Sequence, residues 1–262
     1  MSTKAELKEI STQEALFEYL LRMGDDRLIL GHRLSEWCGH GPILEEDIAL
    51  SNIALDYIGH ATSLLEYAGE IEDKGRDEDD IAFFRDGIDY KCIKMVQLPR
   101  GDFGFTMARQ FLFSVFSYLF YSKLKDTGDD TLRGMAQKAL KETRYHVRHS
   151  REWILRLGDG TDESNERIQK SFNDLWMYTD ELFYMDDIDK HLIDEGIAFD
   201  LADIRPEWKD RVEQTMEEAT LEVPPYDQYM AEGGREGFHT EHLGHLLAEM
   251  QRLPRSYPDA EW

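Results

Sequence analysis

Three residues of this sequence, Glu36, His60 and His146, are candidate metal ligands because they fall on predicted helices at positions that could face one another. Di-iron proteins built on four long helices place one Glu on each of two helices and a Glu-x-x-His pair on each of the other two. The carboxylates bridge and neutralise the two cations, and the His at i+3 completes each site from the same helix face. A centre of this kind therefore requires acids at all four Glu positions.

The position of His60 lacks the acid that this pattern requires. Tyr57 stands three residues before His60, where a bridging Glu should be. Asp56 is one residue out of register, and helix geometry turns it about 100° away from that direction. We therefore expect the Asp56 carboxylate to reach the same centre only from a distorted helix.

The position of His146 has lost its acid in the same way. Thr143 stands at the Glu position, whereas Glu142 lies on a different face of the helix. The long apolar segment 103–125, which should supply another ligand, contains no acidic residue at all. Of the six expected ligands three are missing, all of them carboxylates, so two closely spaced cations would have little to neutralise them.

Three alternatives remain open for this interior. It could hold a pair of irons, or one metal bound by two imidazoles and a carboxylate. It could also be a metal-free core whose polar side chains satisfy one another by hydrogen bonds, as buried polar groups generally do. We favour the metal-free core. Glu36 in particular could be a carboxylate near a helix end that pairs with Arg33 or with water.

The elements that carry these residues are helices. Apolar residues recur at helical spacing along the chain, and alternating strand patterns are nearly absent. The seven Pro residues fall between the periodic segments, and no repeat or linker divides the chain. We predict one all-α domain, 1–262: a bundle of long helices with extra flanking helices. The predicted helices cover 12–23, 26–38, 44–69, 103–125, 131–157, 165–184, 206–221 and 239–253.

Two further segments complete this prediction. An acidic, solvated connector is expected at 70–80, because this stretch is charged and lies between periodic segments. A C-terminal segment, 223–262, is expected to pack on the bundle. Within it His239, His242 and His245 recur at i, i+3 and i+6. This spacing differs from the His-Glu-x-x-His pattern of zinc helices, so we interpret these histidines as a packed and hydrogen-bonded helix start.

Composition limits the partners of the protein. The 262 residues include 54 acidic and 30 basic side chains, which gives a formal net charge of −24. Nucleic acids and anionic membranes attract basic surfaces, so this balance argues against both. The longest apolar run, 111–121, is about half the length that a bilayer span needs. Two cysteines are too few for a disulfide framework, and the polar N-terminus has no signal-peptide core, so we expect a cytoplasmic protein.

A basic stripe runs against this acidic balance. Within about 80° on one side of a single predicted helix lie four basic residues: Lys141, Arg144, Arg148 and Arg151. Such a stripe could form ion pairs with the acidic surface of its own chain. It could also dock an acidic partner helix, or bind the phosphates of coenzyme A at a subunit boundary.

Four segments resemble the PaaC family of structural subunits, which belong to the bacterial multicomponent monooxygenase phenylacetyl-CoA epoxidase. They are SEWCGH at 35–40, LSNIALD at 50–56, KETRYH at 141–146 and FHTEHLG at 238–244. The first and last segments are specific, since neither follows a general helix pattern. The similarity extends over about 25–262, nearly the whole chain.

This resemblance implies a ferritin-like fold and a stable complex with a catalytic PaaA-type subunit, and indirect contact with a reductase and other epoxidase subunits. The partner would hold the di-iron centre and epoxidise the aromatic ring of phenylacetyl-CoA, with electrons from NADPH. The resemblance implies no catalytic residue, metal or cofactor in this chain. In one departure, the family pattern has Gln at the position of His60, so a stray metal is more credible here.

Two other functions remain as alternatives to the structural subunit. The chain could itself be a self-sufficient di-iron oxidase or monooxygenase, although the acid-free segment 103–125 argues against it. It could also be a stand-alone helical binding bundle. Metal content would distinguish the first alternative, and co-purification with a di-iron homologue the second.

Overall fold

The computed structural model describes residues 10–258, and within that range the regular structure is helical, without strands. This confirms the predicted all-α class, and the arrangement is consistent with a ferritin-like bundle. The polar N-terminal segment 1–9 and the last four residues of the predicted C-terminal segment lie outside the described residues. None of the helices within 10–258 has the length and apolar character needed to cross a bilayer.

In chain order the α-helices of the described part are α1 (Thr12–Ser35), α2 (Leu44–Glu72), α3 (Glu78–Phe84), α4 (Lys94–Gln97), α5 (Phe103–Leu124), α6 (Asp130–Gly158), α7 (Asp162–Trp176), α8 (Asp187–Asp194), α9 (Arg205–Glu218), α10 (Glu241–Met250) and α11 (Arg252–Ser256). The long helices pack as two hairpins, α1 on α2 and α5 on α6. The shorter helices α7 and α9 cover α5 and α6, and α8 lies against α1.

The first two predicted helices, 12–23 and 26–38, form the single helix α1, so the predicted break was wrong. Gly24 permits close packing there, because a Cβ at this position would lie 2.6 Å from a Leu65 methyl group of α2. Asp25 and Asp26 look like helix-capping residues in the sequence. Both are in fact buried inside the helix, where their carboxylates accept hydrogen bonds from the backbone of the 91–93 loop.

Other boundaries differ for local reasons. The predicted helix 165–184 begins earlier, because Thr161 and Ser164 form a capping box, and α7 ends at Trp176. The acidic segment 70–80 is a connector only in part: its first residues complete α2, and its last residues belong to α3. The helices α3, α4, α8 and α11 were missed, since each is too short for a clear periodic signal.

Helix α5 forms the centre of the core. Nearly all of its side chains are buried, including a run of aromatic residues at Phe111, Phe113, Phe116 and Phe120. A helix that is apolar on all sides is stable only when neighbours cover it on all sides, and α6, α7 and α9 do so together with side chains of α1 and α2. This arrangement fixes α2 and α6 on either side of a buried layer that α5 lines with Gln110 and Ser114.

Candidate functional site

The two histidines singled out by the sequence lie in the gap between α2 and α6. His60 Nε2 lies 2.5 Å from Glu142 Oε2, and His146 Nε2 lies 2.9 Å from Asp56 Oδ2. Each histidine is therefore paired with a carboxylate of the opposite helix. Because an ionised carboxylate only accepts hydrogen bonds, the Nε2–H group of each ring is the donor.

Sequence reasoning missed this crosswise pairing. The register indicated that Asp56 and Glu142 point away from the interior, and their side chains are indeed partly exposed, at 34% and 29%. They nevertheless reach a histidine from a continuous helix, because α2 and α6 make few close backbone contacts and their side chains span the gap. Both carboxylates thus lie at the rim of the gap.

A third pair of the same kind adds to the arrangement. His149 Nε2 lies 2.8 Å from Glu46 Oε2, and both side chains are largely buried. His149 follows His146 by one helical turn, a repeat in the sequence that could have indicated it. Three histidine–carboxylate hydrogen bonds therefore tie α2 to α6.

The residues at the two positions where the di-iron pattern has Glu make neutral hydrogen bonds. The Tyr57 hydroxyl accepts a hydrogen bond of 3.0 Å from Gln110 Nε2 and lies 3.3 Å from Ser114 Oγ. Burial raises the pKa of Tyr57 to about 12, so the hydroxyl stays protonated. The Thr143 hydroxyl donates to the Ala139 carbonyl within its own helix, at 2.9 Å. Neither side chain carries a negative charge into the interior.

Helix α1 brings a cation into this layer. Arg27 is almost fully buried, and its Nε donates to the Tyr121 hydroxyl at 2.8 Å. Its guanidinium carbon lies 5.1 Å from the centre of the Tyr121 ring and 5.7 Å from that of Phe113. Burial lowers the pKa of His60, and the charge of Arg27 acts in the same direction. The Glu142 carboxylate acts in the opposite direction, but the net lowering of the pKa favours the neutral form of His60.

Glu36, the third ligand candidate, lies elsewhere. It is the C-cap residue of α1, nine residues beyond Arg27 and therefore about 13 Å farther along the helix axis. Its carboxylate forms an ion pair with Arg33 Nη1 at 2.7 Å. The structure thus shows the pairing with Arg33 that the sequence left open for Glu36.

The donor set of this layer does not fit a bridged pair of cations. The inner Nδ1 atoms of His60 and His146 are buried without a hydrogen-bond partner, and such nitrogens can bind metals. The carboxylates, however, accept hydrogen bonds from Nε2 on the other side of each ring. The Arg27 cation would also repel a metal ion. Among residues 10–258, no group of three or more His, Cys, Asp or Glu side chains is placed to hold a metal ion.

The basic stripe divides into two parts. Arg151 forms an ion pair with Glu218 of α9, and Arg148 stacks on the Tyr145 ring at 5.6 Å. Lys141 and Arg144 are exposed and form no ion pair with a described residue. One end of the stripe therefore binds its own chain, and the other end is free.

An exposed apolar stripe runs along α2 next to the site. Leu44, Ile48 and Leu55 are 71%, 52% and 65% exposed, and steps of 100° per residue place them within about 40° of one another. Monomeric proteins rarely expose aligned aliphatic side chains of this size. Helices α2 and α6 thus each carry an exposed stripe, apolar on α2 and basic on α6, and we call the exposed surface of these two helices the α2–α6 face.

Comparison with known proteins shows the family. The model of the phenylacetic acid catabolic protein family, PaaA_PaaC, matches residues 1–262. The chain belongs to this family. A relative from Escherichia coli (strain K12), the PaaC subunit of 1,2-phenylacetyl-CoA epoxidase, is 46% identical over 247 residues, which are 94% of this chain and 99% of the relative. The resemblance seen in the four sequence segments is therefore confirmed.

Two of these PaaA_PaaC-family segments have structural roles in this chain. Trp37 of SEWCGH donates its Nε1–H to Thr106 Oγ1 at 3.0 Å. His239 of FHTEHLG accepts from Gln97 Nε2 at 2.8 Å and donates to the Tyr90 carbonyl at 2.9 Å. His239 therefore lies in a packed, hydrogen-bonded helix start, as interpreted from its spacing, whereas His245 is exposed on α10 and does not fit that interpretation.

Proposed function

We propose that this chain is a metal-free structural subunit of a bacterial 1,2-phenylacetyl-CoA epoxidase, which stabilises a di-iron catalytic subunit of PaaA type in aerobic phenylacetate catabolism. The observation that carries the proposal is the 46% identity to the PaaC subunit of the E. coli epoxidase over 99% of that relative. The side chains between α2 and α6 support the proposal, because the carboxylates there accept hydrogen bonds from the Nε2 atoms of His60 and His146 and are not arranged to bridge two cations.

In this role the chain contributes no catalytic residue. The di-iron centre of the partner would supply the activation of dioxygen, with electrons from a reductase. We assign docking of the partner to the α2–α6 face, where Leu44, Ile48 and Leu55 offer apolar area and Lys141 and Arg144 offer unpaired charge. Permanent complexes of this kind bury about 2,000–5,000 Å² in total, with an apolar centre.

The same proposal treats the chain as one ferritin-like domain in the cytoplasm. Its two cysteines, Cys38 and Cys92, are free thiols, as is usual in a reducing compartment. Metal analysis and co-purification test the function together. The chain is expected to co-elute with a co-expressed PaaA-type subunit, and iron and phenylacetyl-CoA-dependent oxygen consumption are expected only when that subunit is present.

Two outcomes of this experiment would contradict the proposal. A pair of irons in the isolated chain, together with turnover by the chain alone, would identify a self-sufficient di-iron oxygenase. Failure of the two proteins to co-elute, with both folded by circular dichroism, would indicate a stand-alone helical bundle. Inductively coupled plasma mass spectrometry on each fraction measures the iron.

A second experiment addresses the basic stripe. Replacing Arg144 and Arg148 by Ala is expected to weaken the complex, or to raise the apparent KM for the coenzyme A thioester, by about 10-fold, because charge-assisted hydrogen bonds contribute about 1.5–3 kcal/mol. An effect on KM alone would indicate the phosphates, and an effect on assembly would indicate an acidic partner helix. Light scattering and steady-state kinetics separate the two.

The matched control removes two basic residues from outside the stripe. Arg167 and Arg211 are exposed and pair with Glu163 and Glu207 on their own helices. Their double Ala variant changes the net charge equally and should alter neither quantity by more than about 2-fold. Unchanged assembly and kinetics in the Arg144 and Arg148 variant would show that the stripe binds neither partner nor substrate.

A further inference from the structure

A groove of about 600 Å³ lies between α3 and the α10–α11 turn, and its floor is apolar. Phe84, Leu253 and Tyr257 lie along it, and each has between 41% and 61% of its surface exposed. This volume is within the range of pockets that bind a ligand or a few side chains, about 300–1,000 Å³. Large apolar side chains clustered in one concave surface indicate a binding site.

The rim of this groove is acidic. It carries Asp77, Asp79, Asp80 and Glu249, and no Lys or Arg belongs to the lining. Asp77 and Asp80 also cap α3 through reciprocal hydrogen bonds, whereas Asp79 and Glu249 form no ion pair with a described residue. Burial raises the pKa of the Asp79 carboxyl, and its acidic neighbours act in the same direction.

Some acidic side chains on other exposed helix surfaces of this chain have basic partners one helical turn away, whereas others, such as Glu217 of α9, form no ion pair with a described residue. Glu163 pairs with Arg167, and Glu207 pairs with Arg211. What distinguishes the groove is that its unpaired negative charge lies beside an apolar floor. A second copy of this chain would add more negative charge, since each chain has a net charge of −24. Electrostatic complementarity favours a basic occupant.

The walls of the groove are fixed before any partner binds. Gln251 Nε2, at the turn between α10 and α11, donates to the Arg85 carbonyl at 2.9 Å and to the Tyr90 hydroxyl at 3.1 Å. Arg255 of α11 donates to the same Arg85 carbonyl at 2.7 Å and to the Phe84 carbonyl at 3.1 Å. A preformed groove loses little conformational entropy when it is filled.

We propose that this groove docks a basic amphipathic helix of another subunit of the assembly. Its Lys or Arg side chains would lie against Asp79 and Glu249, and its apolar side chains against Phe84, Leu253 and Tyr257. The identity of the partner as an epoxidase subunit rests on the proposed function, whereas the chemistry of the occupant follows from the groove itself. The surface is separate from the α2–α6 face.

The chemistry is tested with a synthetic 18-residue amphipathic helix of Leu and Lys, labelled for fluorescence anisotropy and titrated with the full chain. Asp79→Asn with Glu249→Gln is expected to weaken binding about 10-fold, from the loss of two ion pairs. The matched control, Asp210→Asn with Glu217→Gln, removes the same charge from the exposed face of α9. It should change the affinity by less than about 2-fold.

Equal weakening in both variants would overturn the proposal, because the peptide would then be bound by the overall charge of the chain. A second variant tests the apolar floor. Leu253→Ser is expected to lower the affinity for the peptide as well, whereas Tyr229→Ser, at another exposed apolar position, should leave it unchanged. Unchanged binding in Leu253→Ser would also overturn it. Circular dichroism verifies that each variant is folded.

Carbodiimide cross-linking of the co-purified complex then tests the partner. Asp79 or Glu249 is expected to be joined to Lys residues of another subunit. Cross-links between two copies of this chain would overturn the proposal and assign the groove to self-association. If no complex forms at all, the proposed function fails, while the peptide titration still decides the chemistry of the groove.

Discussion

Replacing Asp25 by Ala is expected to lower the free energy of unfolding by about 3–5 kcal/mol, the usual cost of removing one partner from a buried ion pair. Asp25 is fully buried in α1. Its Oδ2 accepts from Arg85 Nη1 at 3.0 Å and from the Lys91 amide at 2.7 Å. Without it, the Arg85 guanidinium remains buried without a counter-charge. Urea denaturation followed by circular dichroism measures the change.

The control for this variant is Asp210→Ala on α9, an exposed position where a change within about 0.5 kcal/mol is expected. Asp25→Asn separates the charge from the shape, since it keeps the size of the side chain and part of its hydrogen bonding. The loss of unfolding free energy in Asp25→Asn should lie between the losses in Asp25→Ala and Asp210→Ala. A loss of less than about 1 kcal/mol in Asp25→Ala would mean that water or local rearrangement compensates Arg85.

Introducing charge into the apolar stripe of α2 is expected to abolish assembly with the proposed catalytic partner. The double variant Leu44→Asp with Ile48→Asp should weaken the complex by at least about 100-fold, because two carboxylates would be desolvated without partners at an apolar interface. Both positions are more than half exposed in the free chain, so its own stability should change little. Light scattering of the mixed proteins measures the complex.

Two other exposed apolar positions provide the comparison. Val223→Asp with Tyr229→Asp introduces the same charge outside the α2–α6 face and should leave the complex intact. If both double variants assemble normally, the partner does not dock on the α2–α6 face. If both dissociate, added negative charge alone accounts for the effect, and the assignment of this face is also wrong.

The long helices could be predicted from the sequence because their apolar periodicity extends over many turns, as in α2 and α6. The continuity of α1 could not be predicted in this way. Gly24 and Asp25 favour a break locally, and only their distant partners, Leu65 and Arg85, show why the helix continues. Contacts between residues distant in sequence have no local signal, so tertiary structure overrides local propensity there.

The candidate site was predictable in part for the same reason. Tyr57 and His146 lie together in the interior, with ring centres 4.9 Å apart, as their positions on two facing helices indicated. Arg27 was missed because a basic residue on a predicted helix is normally exposed. The pairing of Asp56 with His146 depends on the width of the gap between α2 and α6, which no spacing along one helix reveals.

The buried guanidinium of Arg27 has a consequence for any attempt to introduce redox chemistry into this layer. A carboxylate reinstated at position 57 would meet a permanent positive charge already in place, since Arg27 stays protonated at all physiological pH values. That carboxylate would form a salt bridge with Arg27 and would not be free to bind iron. Building an iron site into this layer would therefore need a change on α1 before acids on α2 and α6 could be of use, an order of steps that makes each acid alone unproductive.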